Sequence, residues 1–317
     1  MNSRTKLLIA GIASLALLGI AGARIQARLS AHGSPEGTQV VAEQKDARRS
    51  ARHSSFGEQV FSRRFDVDDG RLEVNLADAD VVLENSSDQF IEVQAYVEAS
   101  DMERATEIFE DMDFSAKERG NTVYVEADDH NISSRHKRLS VTIVVAIPDE
   151  IDVSVQTDDG DIQTTSISGD VTLRSSDGDI VVDAALGGAL DIHTSDGDIV
   201  VDRLENQRAE IRTSDGDVIL RSVRAPLDVA SGDGDIRINL LDAYETSVST
   251  GDRDISLTAP GDIAADVRMD GEDLSIEHGL QLLGRIREHS VQGTLNGGGP
   301  TIDPRTGDGS ISLRQAN

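Results

Sequence analysis

Between Asp158 and Ile255 one short phrase keeps returning, and it limits what the chain can fold into. It reads Asp159-Gly160-Asp161-Ile162, Asp177-Gly178-Asp179-Ile180, Asp196-Gly197-Asp198-Ile199, Asp215-Gly216-Asp217-Val218 and Asp233-Gly234-Asp235-Ile236. A sixth copy, Asp252-Arg253-Asp254-Ile255, carries Arg in place of Gly. The central residue steps by 18, 19, 19, 18 and 19 positions. A fixed period of this size marks a repeat architecture, in which each unit buries its apolar face only by stacking on its neighbours.

Aligned on the central residue, the copies share a pattern. Seven positions earlier stand Val153, Val171, Leu190, Ala209, Leu227 and Thr246, and five earlier stand Val155, Leu173, Ile192, Ile211, Val229 and Val248. Two later stand Ile162, Ile180, Ile199, Val218, Ile236 and Ile255. Alternation with mostly polar residues on both sides of the turn is period two, so both arms are β-strands with one buried face. Two strands and two turns in 18 or 19 residues leave no room for a βαβ crossover. A hairpin meander fits the length but reverses successive strands, whereas here one position keeps one chemistry in every copy. The pattern therefore predicts an all-β fold, a parallel β-helix or β-solenoid with 18–19-residue coils, in which like residues sit over like. Spacing leaves its handedness open, with right-handed winding the expected sense.

Three positions before each centre lies a hydroxyl: Thr157, Ser175, Thr194, Thr213, Ser231 and Thr250. Stacking at about 4.8 Å would let these bond one another or the turn backbone. The central Gly is expected to supply a positive φ, and the flanking Asp residues to bond their own turn.

The 317 residues carry a net charge of −28, with 3% aromatics, no Trp and no Cys. Few rings suit a narrow core of stacked Val, Ile and Leu. The charge argues against nucleic acid or an anionic lipid surface as partner. The lack of Cys removes disulfides, thiolate metal sites and an N-terminal lipoprotein anchor. Arg4 and Lys6 precede an apolar run from Leu7 to Ala23 that ends Ala21-Gly22-Ala23, so residues 1–23 read as a signal peptide or an uncleaved membrane anchor. Either places the body outside the cytoplasm, in the periplasm or at the cell surface. Residues 24–55 lack an apolar period and read as a disordered linker.

The solenoid domain is expected over 56–317. Leu72, Val74, Leu76, Val81 and Leu83 fit a degenerate coil with Ala79 at the Gly position. Ile91–Val97 reads as a strand. An amphipathic helix is inserted near 101–113, capped by Ser100 with Glu103 as a capping box and striped by Ala105, Ile108, Phe109 and Met112. Strands at Thr122–Ala127 and Leu139–Ile147 flank a basic loop, Ser133–Arg138. Ala265, Val267, Met269, Leu274 and Ile276 form another coil centred on Glu272, and a final coil ends at Gly307-Asp308-Gly309-Ser310-Ile311.

The export signal, the strand-helix-strand start, the strand ending Ile147-Pro148, the Asp-Gly-Asp-Ile coils and the closing Asn296-Gly297-Gly298-Gly299-Pro300 together resemble the bacterial putative-adhesin family, a domain of unknown function related to auto-transporter-adhesin heads. The likeness covers residues 56–317 and implies a β-helical cell-envelope protein. It supplies no catalytic residues. Arg253, Ala79 and Glu272 depart from the Gly habit, so those turns are expected to differ in shape.

Two features are candidate sites. Two Asp columns flank the turns, and Asp177, Asp179, Asp196, Asp198, Asp215 and Asp217 are the candidates for Ca²⁺ held between coils. Against this, calcium-binding β-rolls use a nine-residue Gly-rich repeat that is missing here, and solvated turns with locally bonded carboxylates account for the same residues. Three after the Gly, Val181, Val200 and Ile219 form an outward aliphatic stripe, read as an interaction surface for the helix stripe or a second subunit. Arg174, His193 and Arg212 share another outward column, read as charge balance for the Asp columns. No Ser-His-Asp set, phosphate loop or His cluster is present, so no cofactor is expected unless Ca²⁺ binds. The reading is a non-catalytic exported envelope protein that offers its surface to an envelope protein or glycan. The alternatives are a tethered envelope-stress or regulatory subunit, and a polysaccharide-acting β-helix enzyme, the latter opposed by the shortage of rings for stacking on sugars.

Overall fold

The computed structural model describes residues 57–67, 70–87, 89–127, 141–277 and 279–316. The expected leader 1–23, linker 24–55 and basic loop Ser133–Arg138 lie outside the described residues.

In chain order come β1 (Glu58–Asp66), β2 (Arg71–Asn75), β3 (Asp80–Asn85), β4 (Phe90–Val97), helix α1 (Met102–Glu110), β5 (Ser115–Arg119), β6 (Thr122–Glu126) and β7 (Val141–Ile147). The repeats are β8 (Asp152–Gln156), β9 (Ile162–Ser168), β10 (Val171–Arg174), β11 (Ile180–His193), β12 (Ile199–Thr213), β13 (Val218–Val223), β14 (Leu227–Ser231), β15 (Ile236–Leu240), β16 (Thr246–Thr250) and β17 (Ile255–Ala259). Then follow β18 (Ala265–Asp270), β19 (Asp273–Ile276), β20 (Leu282–Ile286), β21 (Ser290–Leu295), β22 (Thr301–Thr306) and β23 (Ser310–Gln315).

The repeats stack in parallel register. Val153, Val171, Leu190, Ala209, Leu227 and Thr246 form one column of paired residues. Ile162, Ile180, Ile199, Val218, Ile236 and Ile255 form another. These columns face one continuous core that runs from Phe65 to Leu313. The fold is therefore a β-solenoid, each coil having a first arm before the Asp-Gly-Asp corner and a second arm after it. β11 and β12 bend from the second arm of one coil into the first arm of the next, so both arms belong to one hydrogen-bonded network of 23 strands.

At both ends the order of coils in space departs from their order in sequence. The β2–β3 coil lies between β6–β7 and β8–β9, paired in parallel to both. Likewise β22–β23 lies between β16–β17 and β18–β19. The coil expected to close the stack is thus an inserted one. A coil at a chain end with one neighbour would leave half its backbone groups unpaired, and insertion gives it two.

Ala79 does occupy the Gly position, since Leu72 pairs with Val153 and Val81 with Ile162. The coil around Glu272 is shorter at its corner than the reading required. Leu274 stacks on Ile311, but Val267 stacks on Ile302, so its first arm is slipped by two residues. A slip of two keeps the inward residues inward, and Val267 and Met269 remain buried.

Helix α1 starts one residue later than expected. Asp101, not Ser100, is the N-cap, accepting from the Arg104 amide at 2.9 Å while Ser100 Oγ donates to it. These bonds hold the exposed Asp101 carboxyl below its ordinary range, the Arg104 amide contributing most. Ala105, Ile108 and Met112 join the main core. Phe109 leaves that line to meet Phe61 and Phe114, with ring centroids 6.0 and 5.0 Å away.

Candidate functional site

The corners decide what the Asp, Gly and Thr residues do. The expectation of a positive φ at the central glycines is wrong: among the described residues the positive-φ glycines are Gly57, Gly120, Gly169, Gly187, Gly297 and Gly298, none at an Asp-Gly-Asp centre. Close stacking demands glycine there instead. A Cβ on Gly197 would lie 2.6 Å from the Gly178 carbonyl carbon and 3.0 Å from Thr194 Oγ1, and nearer still to the Gly178 carbonyl oxygen. Gly178, Gly216 and Gly234 repeat this geometry on the coil before each. Where Arg253 replaces Gly, the Arg is exposed and its Nε donates to the Asp233 carbonyl at 3.2 Å, while Thr250 Oγ1 still donates to the Gly234 carbonyl at 2.9 Å.

The buried hydroxyls act between coils. Thr194 Oγ1 donates to the carbonyls of Ser176 and Gly178 at 3.2 and 3.1 Å, and accepts from the Gly197 amide at 3.3 Å. Ser175 and Thr213 repeat the arrangement. Each hydroxyl thus fastens its own corner to the one beneath.

The Asp after each Gly bonds the next coil, not its own turn. Asp161 Oδ1 accepts from the Asp179 amide, Asp179 from Asp198, Asp198 from Asp217 and Asp217 from Asp235, all at 2.8–2.9 Å. The ladder extends from Asp80, which accepts from Asp161, to Asp254, which accepts from Ser310. Burial pushes the carboxyl pKa of Asp179 and Asp198 up, the amide bond pulls each down, and neighbouring carboxylates push up again. The Asp before each Gly, including Asp177, Asp196 and Asp215, is exposed. Among the described residues no group of three or more His or acidic side chains is placed to hold a metal ion. In Asp179, Asp198 and Asp217 one carboxylate oxygen is already held by an amide.

Val181, Val200 and Ile219 are vertical neighbours on the outer face of the second arm. None belongs to the main core, yet Val200 is only 1% exposed, and Val181 and Ile219 are half-buried. Beyond Gln163 the same column continues to Val82 and Val144, both buried and both outside the main core. Val82 was within reach of the sequence rule, standing three after Ala79. Val144 was not, because its coil lacks an Asp-Gly-Asp corner to count from. The column is bordered by the carboxylate ladder. The apolar stripe of the helix does not pack on it: Ile108 and Met112 are in the core that excludes it, and Phe109 packs against that core.

Arg174, His193 and Arg212 are also vertical neighbours, on the first arm. Arg174 pairs with Asp191 at 3.0 Å, and Arg212 with Asp228 at 3.4 Å and with Glu210. Their counter-charges lie in the adjoining outward column, not in the corner Asp columns. Among the described residues no helix is long and apolar enough to cross a membrane.

Fold and corners define a β-solenoid whose inward hydroxyls and trailing carboxylates hold its own coils together. The chain belongs to the Toastrack DUF4097 family, whose profile matches residues 70–314. Among solved structures it is similar to a putative adhesin from Bacteroides fragilis NCTC 9343, at 14% identity over 81% of this chain and 96% of that one, TM-score 0.47. It is also similar to a putative lipid binding protein from Parabacteroides distasonis ATCC 8503, at 11% identity over the same shares, TM-score 0.39. A putative adhesin from Parabacteroides merdae ATCC 43184 matches at 12% identity over 81% and 96%, TM-score 0.28. No curated protein matches the chain.

Proposed function

We propose that the protein is a non-catalytic, exported component of the cell envelope, and that its solenoid presents a contact surface to an envelope protein or glycan. The outward aliphatics Val181 and Ile219, half-buried on either side of the covered Val200, carry this reading. Charges surround them: Arg237, the residue stacked on Ile219 in the same column, pairs with Asp235, and Arg221 pairs with Asp202. Partly exposed aliphatics set among charges are suited to packing against another molecule. The proposed location rests on the apolar run Leu7–Ala23 behind Arg4 and Lys6.

The test is retention of the full chain on a glycan array and on purified envelope fractions, wild type beside Val181→Lys/Ile219→Lys. Wild-type retention that disappears in a variant of unchanged melting temperature supports the reading. A variant retained equally well sinks the assignment of this face, and steady turnover of an acidic polysaccharide would make the protein an enzyme instead.

A further inference from the structure

The two ends of the stack are finished differently. On the N-terminal side α1 packs beside β4, β1 pairs with β4, and Phe61, Phe109 and Phe114 close ring against ring. The first-arm edge there is β5, whose Lys117, Glu118 and Arg119 are all exposed. Charges of this kind discourage a further strand from adding. On the other side the first arm continues from β18 to β21 to β20 by antiparallel pairing. Among the described residues β20 pairs with β21 alone. Its Leu283 is 81% exposed and its Ile286 74%, while Leu274, Ile276 and Leu282 pack on the core end without being buried by it. An apolar edge strand is what proteins ordinarily blunt, and a stacked core needs a cap with a polar outer face.

We propose that a second copy of this chain covers this end, β20 lying antiparallel to β20 of the other copy about a two-fold axis through Gly284. The strand reads Leu282-Leu283-Gly284-Arg285-Ile286. In that register Leu282 faces the second copy's Ile286 on the core-side face, and Leu283 faces the second copy's Arg285 on the outer face. Each exposed aliphatic then meets an aliphatic or the stem of an Arg, and the axis passes through the residue without a side chain. A two-fold interface must be self-complementary in this way. Charge favours the same place. A chain of net charge −28 repels its copy wherever carboxylate columns meet, but Leu280–Gly293 carries Arg285 and Arg287 against one carboxylate, Glu288.

The lack of Cys makes cross-linking unambiguous. Opposed residues of antiparallel strands have Cα atoms about 4.5–5.5 Å apart, within the reach of a disulfide. Full chain carrying Leu283→Cys/Arg285→Cys, oxidised mildly in detergent, is expected to run at twice its mass on a non-reducing gel. Lys117→Cys/Arg119→Cys on β5 is expected to stay monomeric. In sedimentation the unmodified full chain is expected to be a dimer, and Leu283→Lys/Ile286→Lys to weaken self-association tenfold or more at unchanged melting temperature. A monomer at tens of micromolar, or a dimer indifferent to the two lysines, overturns the proposal. Should the lysines impair folding, the cross-link decides alone, and a monomeric band from the β20 pair overturns it.

Discussion

Replacing Gly197 by Ala separates the two reasons a corner can require glycine. The added methyl would sit 2.6 Å from the Gly178 carbonyl carbon and 3.0 Å from Thr194 Oγ1. Neither can move freely. The Gly178 carbonyl is held by Thr194 Oγ1 at 3.1 Å, and the adjoining Asp198 amide donates to Asp179 at 2.8 Å. Overpacking commonly costs about 1–3 kcal/mol, and each hydrogen bond stretched out of range adds about 1 kcal/mol. Gly197→Ala should therefore destabilise by roughly 3 kcal/mol or more. Gly187 supplies the contrast: its φ is +92°, but an added Cβ meets nothing closer than 3.9 Å. The cost of Gly187→Ala is conformational, about 1–2 kcal/mol. Urea unfolding of both variants, followed by circular dichroism, gives the comparison. A corner variant as stable as wild type, or costing less than Gly187→Ala, would refute the account of the Asp-Gly-Asp glycine as a contact between backbones.

Two further outcomes follow from the carboxylates. Asp179 and Asp198 have folded pKa values raised above the ordinary one, burial being the largest cause. A raised carboxyl binds its proton more tightly in the folded state, so its contribution to stability falls as pH rises from the unfolded value through the folded one, and stays low above it. Asp198→Asn keeps an oxygen for the Asp217 amide and removes the charge, so its melting temperature should equal or exceed wild type at pH 7, with the advantage shrinking towards pH 4. A lower melting temperature at pH 7 would show the charge itself to be needed. Millimolar Ca²⁺ should leave the melting temperature unchanged, because one oxygen of each ladder carboxylate is already held by an amide and the other Asp column lies in solvent; a rise of several degrees, absent with Mg²⁺, would restore calcium to the corners.

Most of the fold was legible because the repeat states it six times, and every inward position named from that phrase is buried in its column. What stayed hidden depends on three-dimensional neighbours that spacing does not encode. The same glycine serves a positive φ or a close backbone approach, and only the stacked carbonyl of the previous coil tells them apart. The insertion of β2–β3 and β22–β23 was invisible because a coil carries the same pattern whichever neighbours it has. The outward stripe could be named at Val181, Val200 and Ile219 by counting from glycine, and extends to Val144 only through pairing with Val82. The partners of Arg174 and Arg212 were misassigned because Asp191 and Asp228 sit one column over, a relation set by the arms and not by the corner phrase.

The stacking of residues nineteen apart can be measured directly with paired cysteines on the exposed face of the first arm, where Arg174 is paired in parallel with His193. Arg174→Cys/His193→Cys should close an intramolecular disulfide under mild oxidation, seen as a mass loss of two hydrogens in the intact chain. Arg174→Cys/Asp191→Cys, two residues out of step on the same face, should remain reduced. Efficient closure of the second pair with none in the first would contradict the parallel register on which the corners, the ladder and the outward stripe all depend.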